Sequence, residues 1–373
     1  MSAGVYLHIP FCKSRCSYCD FATDVYRNAG VVDRYVDALS SEIRNSKFDI
    51  RNLIDTIYFG GGTPSLLNAD QVEKILDAVR AKFEVAADAE ITMEMNPATV
   101  LAETLAAYRG LGINRASFGV QTFNNRDLKL LARGHDANDA RETFRLLRNA
   151  GFENISFDLI AGLPAQTIDD WKRNLDEAVS MQPEHLSLYL LEIHEGTPLA
   201  EQIKSKRRPM PDEEIAAEMY ELMLDRLASA GYEQYEISNF AKPGFESRHN
   251  TKYWRLDPVY GFGVSAHSFN GRERYANERD TAKYVSMIEN EGSAEVMRES
   301  IETASEFIFL GLRLNDGIDL SEYHSRFGND LPEQYRPELE NLQRNDLVDL
   351  TANRFRLTRK GMLFSNEVFQ HFV

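Results

Sequence analysis

The sequence predicts an α/β protein, a partial (β/α)6 TIM-like barrel followed by a small α+β module of winged-helix-like shape. Three observations carry that expectation. Between residue 5 and about residue 190, short β-branched or aromatic runs alternate with amphipathic helical stretches, which is the pattern of parallel strands joined by right-handed crossovers. Six such units are too few to close an eight-stranded barrel, so the sheet is expected to stay open. Beyond residue 296 the order changes to helices, then two short strands, then a last helix.

The strands are expected at 5–9, 56–59, 91–95, 116–120, 155–159 and 186–190. Helical periodicity falls between them at 32–46, 69–83, 101–111, 138–150 and 168–181. Gly112 and Gly151 stand where helix C-termini should be capped, and Asp169 and Asp170 place acids at a helix's positive end. A basic, proline-punctuated stretch at 204–211 reads as a linker. A helix is expected at 212–230, then a segment rich in glycine and aromatics at 231–275. In the C-terminal module, 347–349 and 354–357 read as a hairpin and Arg359 begins the last helix. Three units are therefore expected: 1–205, the barrel; 206–295, the helix and glycine-aromatic segment; and 296–373, the winged-helix-like module.

The chain has 373 residues, 43% hydrophobic and 27% charged, an ordinary globular composition. Its net charge of −16 opposes broad binding to nucleic acid or anionic lipid. The C-terminal module, with 9 basic residues against 13 acids, shares that acidity, so a protein-contact or lid role is expected of it rather than DNA binding. No run approaches the ~18 apolar residues of a membrane span, and the start lacks a basic signal-peptide region. A cytoplasmic location is expected.

All three cysteines, Cys12, Cys16 and Cys19, fall within eight residues just after the first strand. An odd, crowded set is no disulfide framework. Soft thiolates at this spacing suit a four-iron cluster, which takes one ligand per iron and here keeps one iron open for another ligand. The alternatives are a zinc knuckle completed by His8 and inert buried thiols.

The spacing CxxxCxxC resembles that of the radical S-adenosylmethionine (SAM) proteins, and the resemblance runs along nearly the whole chain. Tyr6-x-His8-Ile9-Pro10-Phe11-Cys12, Gly60-Gly61-Gly62-Thr63-Pro64, Glu94-Met95-Asn96-Pro97, Ser117-x-Gly119-Val120-Gln121-x-Phe123, Arg133-Gly134-His135 and Asp158-Leu159-Ile160-x-Gly162-Leu163-Pro164 are similar to the subgroup containing the oxygen-independent coproporphyrinogen III dehydrogenases. The resemblance implies a 4Fe-4S cluster on Cys12, Cys16 and Cys19, with SAM as second cofactor. Arg133 would hold the methionine carboxylate, Gln121 and Asp158 the ribose hydroxyls, and Glu94 further polar groups. Gly61, Gly62 and Thr63 would let backbone approach the methionine end. Tyr6 and Tyr18 would pack near the cluster and the sulfonium.

Two features turn the resemblance away from the dehydrogenases. Phe21 stands where they carry a fourth cysteine, and they have an extension before the cluster strand, whereas this chain begins five residues before Tyr6. A third is positive: His249-Asn250-Thr251-Lys252-Tyr253-Trp254 fits the HNxxYW pattern of the HemW-like haem chaperones. That resemblance implies haem as ligand, with His249 as an axial candidate and Tyr253 and Trp254 covering the macrocycle. Lys252, Arg248 and Arg255 stand beside them for propionates. His267 is a second candidate ligand, among glycines that imply close approach to something flat or to another strand. The implied partners are haem and acceptor haemoproteins, and a cluster-dependent homodimer would suit the family. The competing reading is an enzyme that cleaves SAM to a 5'-deoxyadenosyl radical and oxidatively decarboxylates a porphyrinogen propionate.

Overall fold

The computed structural model describes residues 2–26, 28–48 and 51–372. Six parallel strands, Ser2–Ile9, Leu53–Gly61, Val85–Met95, Arg115–Gln121, Asn154–Ala161 and His185–Leu190, lie side by side in chain order. Alternation sets their two faces. Ala116, Phe118 and Val120 turn outward into the core against the helices, while Arg115, Ser117 and Gly119 turn inward, so the lumen is polar. Helices Ala29–Asn45, Ala69–Lys82, Ala102–Gly110, Ala137–Asn149 and Ile168–Met181 cover the outer face. Their ends follow local chemistry. Asn68 with Gln71 and Thr167 with Asp170 form capping boxes, and Gly112 and Gly151 take the positive φ expected after a helix, 100° and 83°.

Residues 206–295 form no separate layer; they extend the barrel sheet at both edges. Strand Val259–Phe262 pairs in parallel with Ser2–Ile9, making a seventh parallel strand, and His267–Phe269, Glu273–Asn277 and Glu295–Ser300 follow it antiparallel. At the far edge Asn239–Ala241 pairs antiparallel with His185–Leu190, and Glu233–Glu236 lies beyond it. The short, glycine-interrupted run Val259–Phe262 carries little strand signal of its own. Its Gly261 is required by packing, since a Cβ there would stand 2.3 Å from the His267 carbonyl oxygen.

Strand Glu295–Ser300 runs across the boundary expected at 296, and the C-terminal module begins at helix Thr303–Gly311. Strands Ile318–Asp319, Arg354–Leu357 and Val348–Leu350 form its antiparallel wing, followed by helices Arg359–Leu363 and Ser365–Phe369. Backbone bonds from Ile237 N to Arg313 O (3.1 Å) and from Asn315 N to Tyr235 O (2.9 Å) tie it to the barrel edge.

Candidate functional site

The cysteine loop is clamped at its base. Phe11–Cys12 pairs in parallel with Asp24–Val25, with Asp24 N donating to Pro10 O and Tyr26 N to Cys12 O, both at 2.8 Å. Halfway round, Ser17 is buried and donates from its N to Leu131 O (2.9 Å) and from its Oγ to Leu130 O (3.0 Å). The three cysteines are free and half-buried. A polar relay joins two of them across the mouth of the barrel. Thr63 Oγ1 donates to Cys12 Sγ at 3.6 Å, Asn96 Nδ2 to Thr63 Oγ1 at 2.7 Å, Arg133 Nη2 to Asn96 Oδ1 at 2.7 Å, and Arg133 Nη1 to Cys16 Sγ at 3.5 Å. Burial pushes the Cys12 and Cys19 thiols up, while the Thr63 hydroxyl and the Phe21 N–H respectively pull them down.

This donor set fits a cluster better than a single ion. Among the described residues no three His, Cys, Asp or Glu converge to hold one metal ion. His8, the ligand a zinc knuckle would need, has both ring nitrogens engaged, Nε2 with Ala22 O at 2.9 Å and Nδ1 with Tyr6 Oη at 3.1 Å. A cluster needs only one thiolate per corner, and Arg133 Nε lies buried beside the loop without a partner.

The glycine run serves the protein's own packing. A Cβ on Gly62 would stand 2.7 Å from Pro10 O, and one on Gly61, where φ is 112°, would stand 2.7 Å from the His8 ring. Gly119 likewise leaves room for Gln121, whose backbone turns at φ 66° so that its amide folds back over the glycine. The close approach is therefore between neighbouring strand ends, which brings Gly61, Gly62 and Thr63 against the cysteine loop.

Below the rim, Glu94 accepts from Tyr58 Oη (2.7 Å) and from Gly61 N (3.1 Å), and burial raises its carboxyl to about 7. Asp158 accepts from Ser117 Oγ at 3.5 Å and is held by Ser187 too; burial raises it to about 6. Tyr18 lies within 3.5 Å of Arg133. Tyr189 and Tyr253 keep 42% and 36% of their surface accessible although protein surrounds both, so they line open lumen rather than outer surface.

Helix Arg248–Trp254 plugs the floor. Its first N–H groups, of Arg248 and His249, donate to the Glu90 carboxylate at 3.2 and 3.1 Å, acid meeting helix N-terminus. His249 is 1% exposed and stacks on Tyr58 at 5.0 Å. Its Nδ1 pairs with Thr56 Oγ1 at 2.8 Å and its Nε2 with Tyr253 Oη at 3.3 Å. Burial lowers it to about 3, so it is neutral. The axial-ligand expectation for His249 thus meets a buried ring with both nitrogens taken.

Apart from Tyr253, the other expected haem residues do not gather around it. Trp254 faces the opposite way, into a cavity of about 910 Å³ between the floor and the C-terminal module, with Arg255, Phe307 and Arg326. Arg313 stacks on it at 4.3 Å. Lys252 is buried on Asp55 at 2.8 Å, and Arg248 reaches the same carboxylate at 3.7 Å. His267 lies exposed on an outer antiparallel strand, away from the lumen. Asn96, two residues after Glu94 at the same strand end, is a rim residue whose motif alone does not reveal its place between Thr63 and Arg133. Tyr58 and Arg115 were missed because they look like ordinary strand residues.

A parallel barrel with a clamped cysteine loop at its mouth is the architecture of the radical SAM superfamily, whose model matches residues 6–178; residues 299–364 match the HemN C-terminal domain. The chain is 36% identical to the heme chaperone HemW of Bacillus subtilis over 99% of both chains, and 33% identical to that of Escherichia coli over 99% of this chain and 98% of the relative. The solved structure of the E. coli radical SAM enzyme coproporphyrinogen III oxidase, HemN, is similar at a TM-score of 0.87 and 26% identity, covering 100% of this chain and 90% of that one. The chain belongs to the HemW family of the radical SAM superfamily.

Proposed function

We propose that this protein is a haem chaperone that binds haem, a 4Fe-4S cluster and SAM, and passes haem to acceptor haemoproteins in the cytoplasm. The full-length likeness to heme chaperones supports the haem role. The observation that carries the cofactor assignment is the relay from Cys12 through Thr63, Asn96 and Arg133 to Cys16. It holds two expected ligands in register with the groups expected to take SAM. Cys12, Cys16 and Cys19 would hold the cluster. When bound, the cluster supplies an electron and one open iron. Arg133, whose Nη atoms are engaged with Asn96, Gly119 O and Cys16 and whose Nε is unpartnered, would offer a carboxylate a charge-assisted donor, Gln121 and Asp158 offer partners for hydroxyls, and Glu94 at about 7 can hold or release a proton near neutrality. Tyr6 and Tyr18 would pack near the cluster and the sulfonium, and Tyr18 lies within 3.5 Å of Arg133. No helix among the described residues is long and apolar enough to cross a membrane.

The likeness to coproporphyrinogen III oxidase supports a second reading, oxidative decarboxylation of a porphyrinogen. One experiment separates the two. Anaerobically reconstituted protein is titrated with haem and then incubated with SAM, reductant and coproporphyrinogen III. A Soret band with the porphyrinogen unchanged is expected; turnover to protoporphyrinogen defeats the chaperone reading. Serine at Cys12, Cys16 or Cys19 is expected to remove the cluster absorbance, and its survival defeats the ligand assignment.

A further inference from the structure

The lumen holds one group that the site described above does not use. Arg115 lies on an inward position of strand Arg115–Gln121, opposite Thr92 and Asn154, and is 1% exposed. Among the described residues its side chain makes no hydrogen bond or ion pair, and its Nε is buried without a partner. A buried guanidinium left this way is costly, because no hydrogen bond repays the desolvation of its fork.

The two lumen carboxylates favour its charge through space but accept no hydrogen bond from it. Glu94 is taken by Tyr58 and Gly61 N–H, and Asp158 by Ser117 and Ser187. Arg115 is nevertheless central, since its charge bears on Tyr58, Glu94, Asp158, His185, Tyr235 and His249 around the lumen. The lumen above is open, as the accessible faces of Tyr189 and Tyr253 show. His185 cannot supply a counter-charge; its nitrogens pair with Ser156 and Tyr235, both at 2.8 Å.

We propose that Arg115 is a carboxylate receptor inside the barrel, and that the carboxylate it takes is a propionate of the bound tetrapyrrole. The choice of propionate rests on the haem-carrying reading. It follows from the arrangement of cations: Arg133 lies at the rim beside Cys16 and is the group placed for the carboxylate of SAM, which leaves the deeper Arg115 for a second acid on a flexible arm. The lumen tyrosines would flank that arm.

The test uses the full chain, anaerobically reconstituted, titrated with haem and with haem dimethyl ester, in which both propionates are masked. The wild-type chain is expected to bind haem at least about tenfold more tightly than the diester, the discrimination expected of a charge-assisted pair. Arg115→Met is expected to bring the two within about threefold while SAM affinity and cluster absorbance stay at wild-type values. Equal affinity of the wild-type chain for haem and diester overturns the proposal without any variant. So does a preference that persists in Arg115→Met, or a loss in that variant of SAM affinity instead. Should Arg115→Met not fold, Arg115→Lys is measured: it keeps the charge but not the fork, and an undiminished preference there counts against the proposal. A wild-type chain that binds neither ligand defeats the haem-carrying reading itself, and the proposal with it.

Discussion

Gly62→Ala is the sharpest perturbation of the link between barrel and cysteine loop. The added Cβ meets Pro10 O at 2.7 Å, Pro10 C at 2.8 Å and Phe11 O at 2.9 Å. All three are backbone atoms, so no side chain can swing aside. Ordinary contact begins at 3.4 Å, and the two strand ends must therefore separate by several tenths of an ångström. The same junction carries the bond from Gly62 N to Ile9 O (2.8 Å) and, one residue on, the Thr63 contact to Cys12. Overpacking of this kind costs about 1–3 kcal/mol, and a stretched backbone bond adds about 1 kcal/mol. The expected result is a melting temperature lowered by several degrees and a reduced 4Fe-4S absorbance per chain after anaerobic reconstitution. Gly30→Ala, whose Cβ would meet nothing closer than 3.5 Å, is the control and should leave both unchanged. A Gly62→Ala protein that melts within about 1 °C of the wild type and takes up a full cluster would refute the reasoning.

Glu42 accepts from Gly263 N (2.9 Å), Asn277 Nδ2 (2.7 Å) and Tyr284 Oη (2.6 Å), yet burial raises it to about 7; the folded chain keeps a proton that the unfolded chain has lost, so stability falls as pH rises from about 4.5 to 7. Glu42→Gln cannot ionise, and its stability relative to wild type is expected to improve by about 1–3 kcal/mol between pH 5 and pH 8 in urea unfolding; parallel pH profiles would contradict this. His249→Ala is expected to cost about 2–4 kcal/mol at pH 7.5 through the lost packing and an orphaned Thr56 hydroxyl. Because His249 is lowered to about 3, its contribution is complete above about 6.5 and is lost as pH falls, so the cost should shrink by about 2 kcal/mol at pH 5. Arg133→Gln is expected to weaken SAM binding at least about tenfold in anaerobic calorimetry while the cluster absorbance survives; unchanged affinity would remove Arg133 from the site.

The six central strands were legible because each is a short, largely apolar run between amphipathic helices. The closing strands were not. Val259–Phe262 is four residues long with a glycine inside, and its identity as a strand comes from the partner it meets rather than from its own propensity. The motifs drew attention to the rim, where the nearest neighbours of Gly62 and Gly61 are Pro10 and His8. His249 shows the limit of motif reading. Its local sequence offers a histidine beside two aromatics, and nothing local tells that the helix carrying them is turned into a barrel floor over Glu90. Arg115 was invisible for a related reason: a single cation in a strand looks like a solvated edge until the pleat turns it inward.

The pairing of Gly4 with Val259 has a consequence for how the chain is made. Two strands about 250 residues apart must find each other before the barrel's first strand has both neighbours, a contact of high sequence separation whose loop-closure entropy slows folding. During synthesis the strand that leads into Cys12 keeps a bare hydrogen-bonding edge until residues 259–262 emerge. Early metal loading would thus act on a half-built barrel whose mouth exists before its floor, and late-emerging residues such as His249 would close the lumen from below only afterwards.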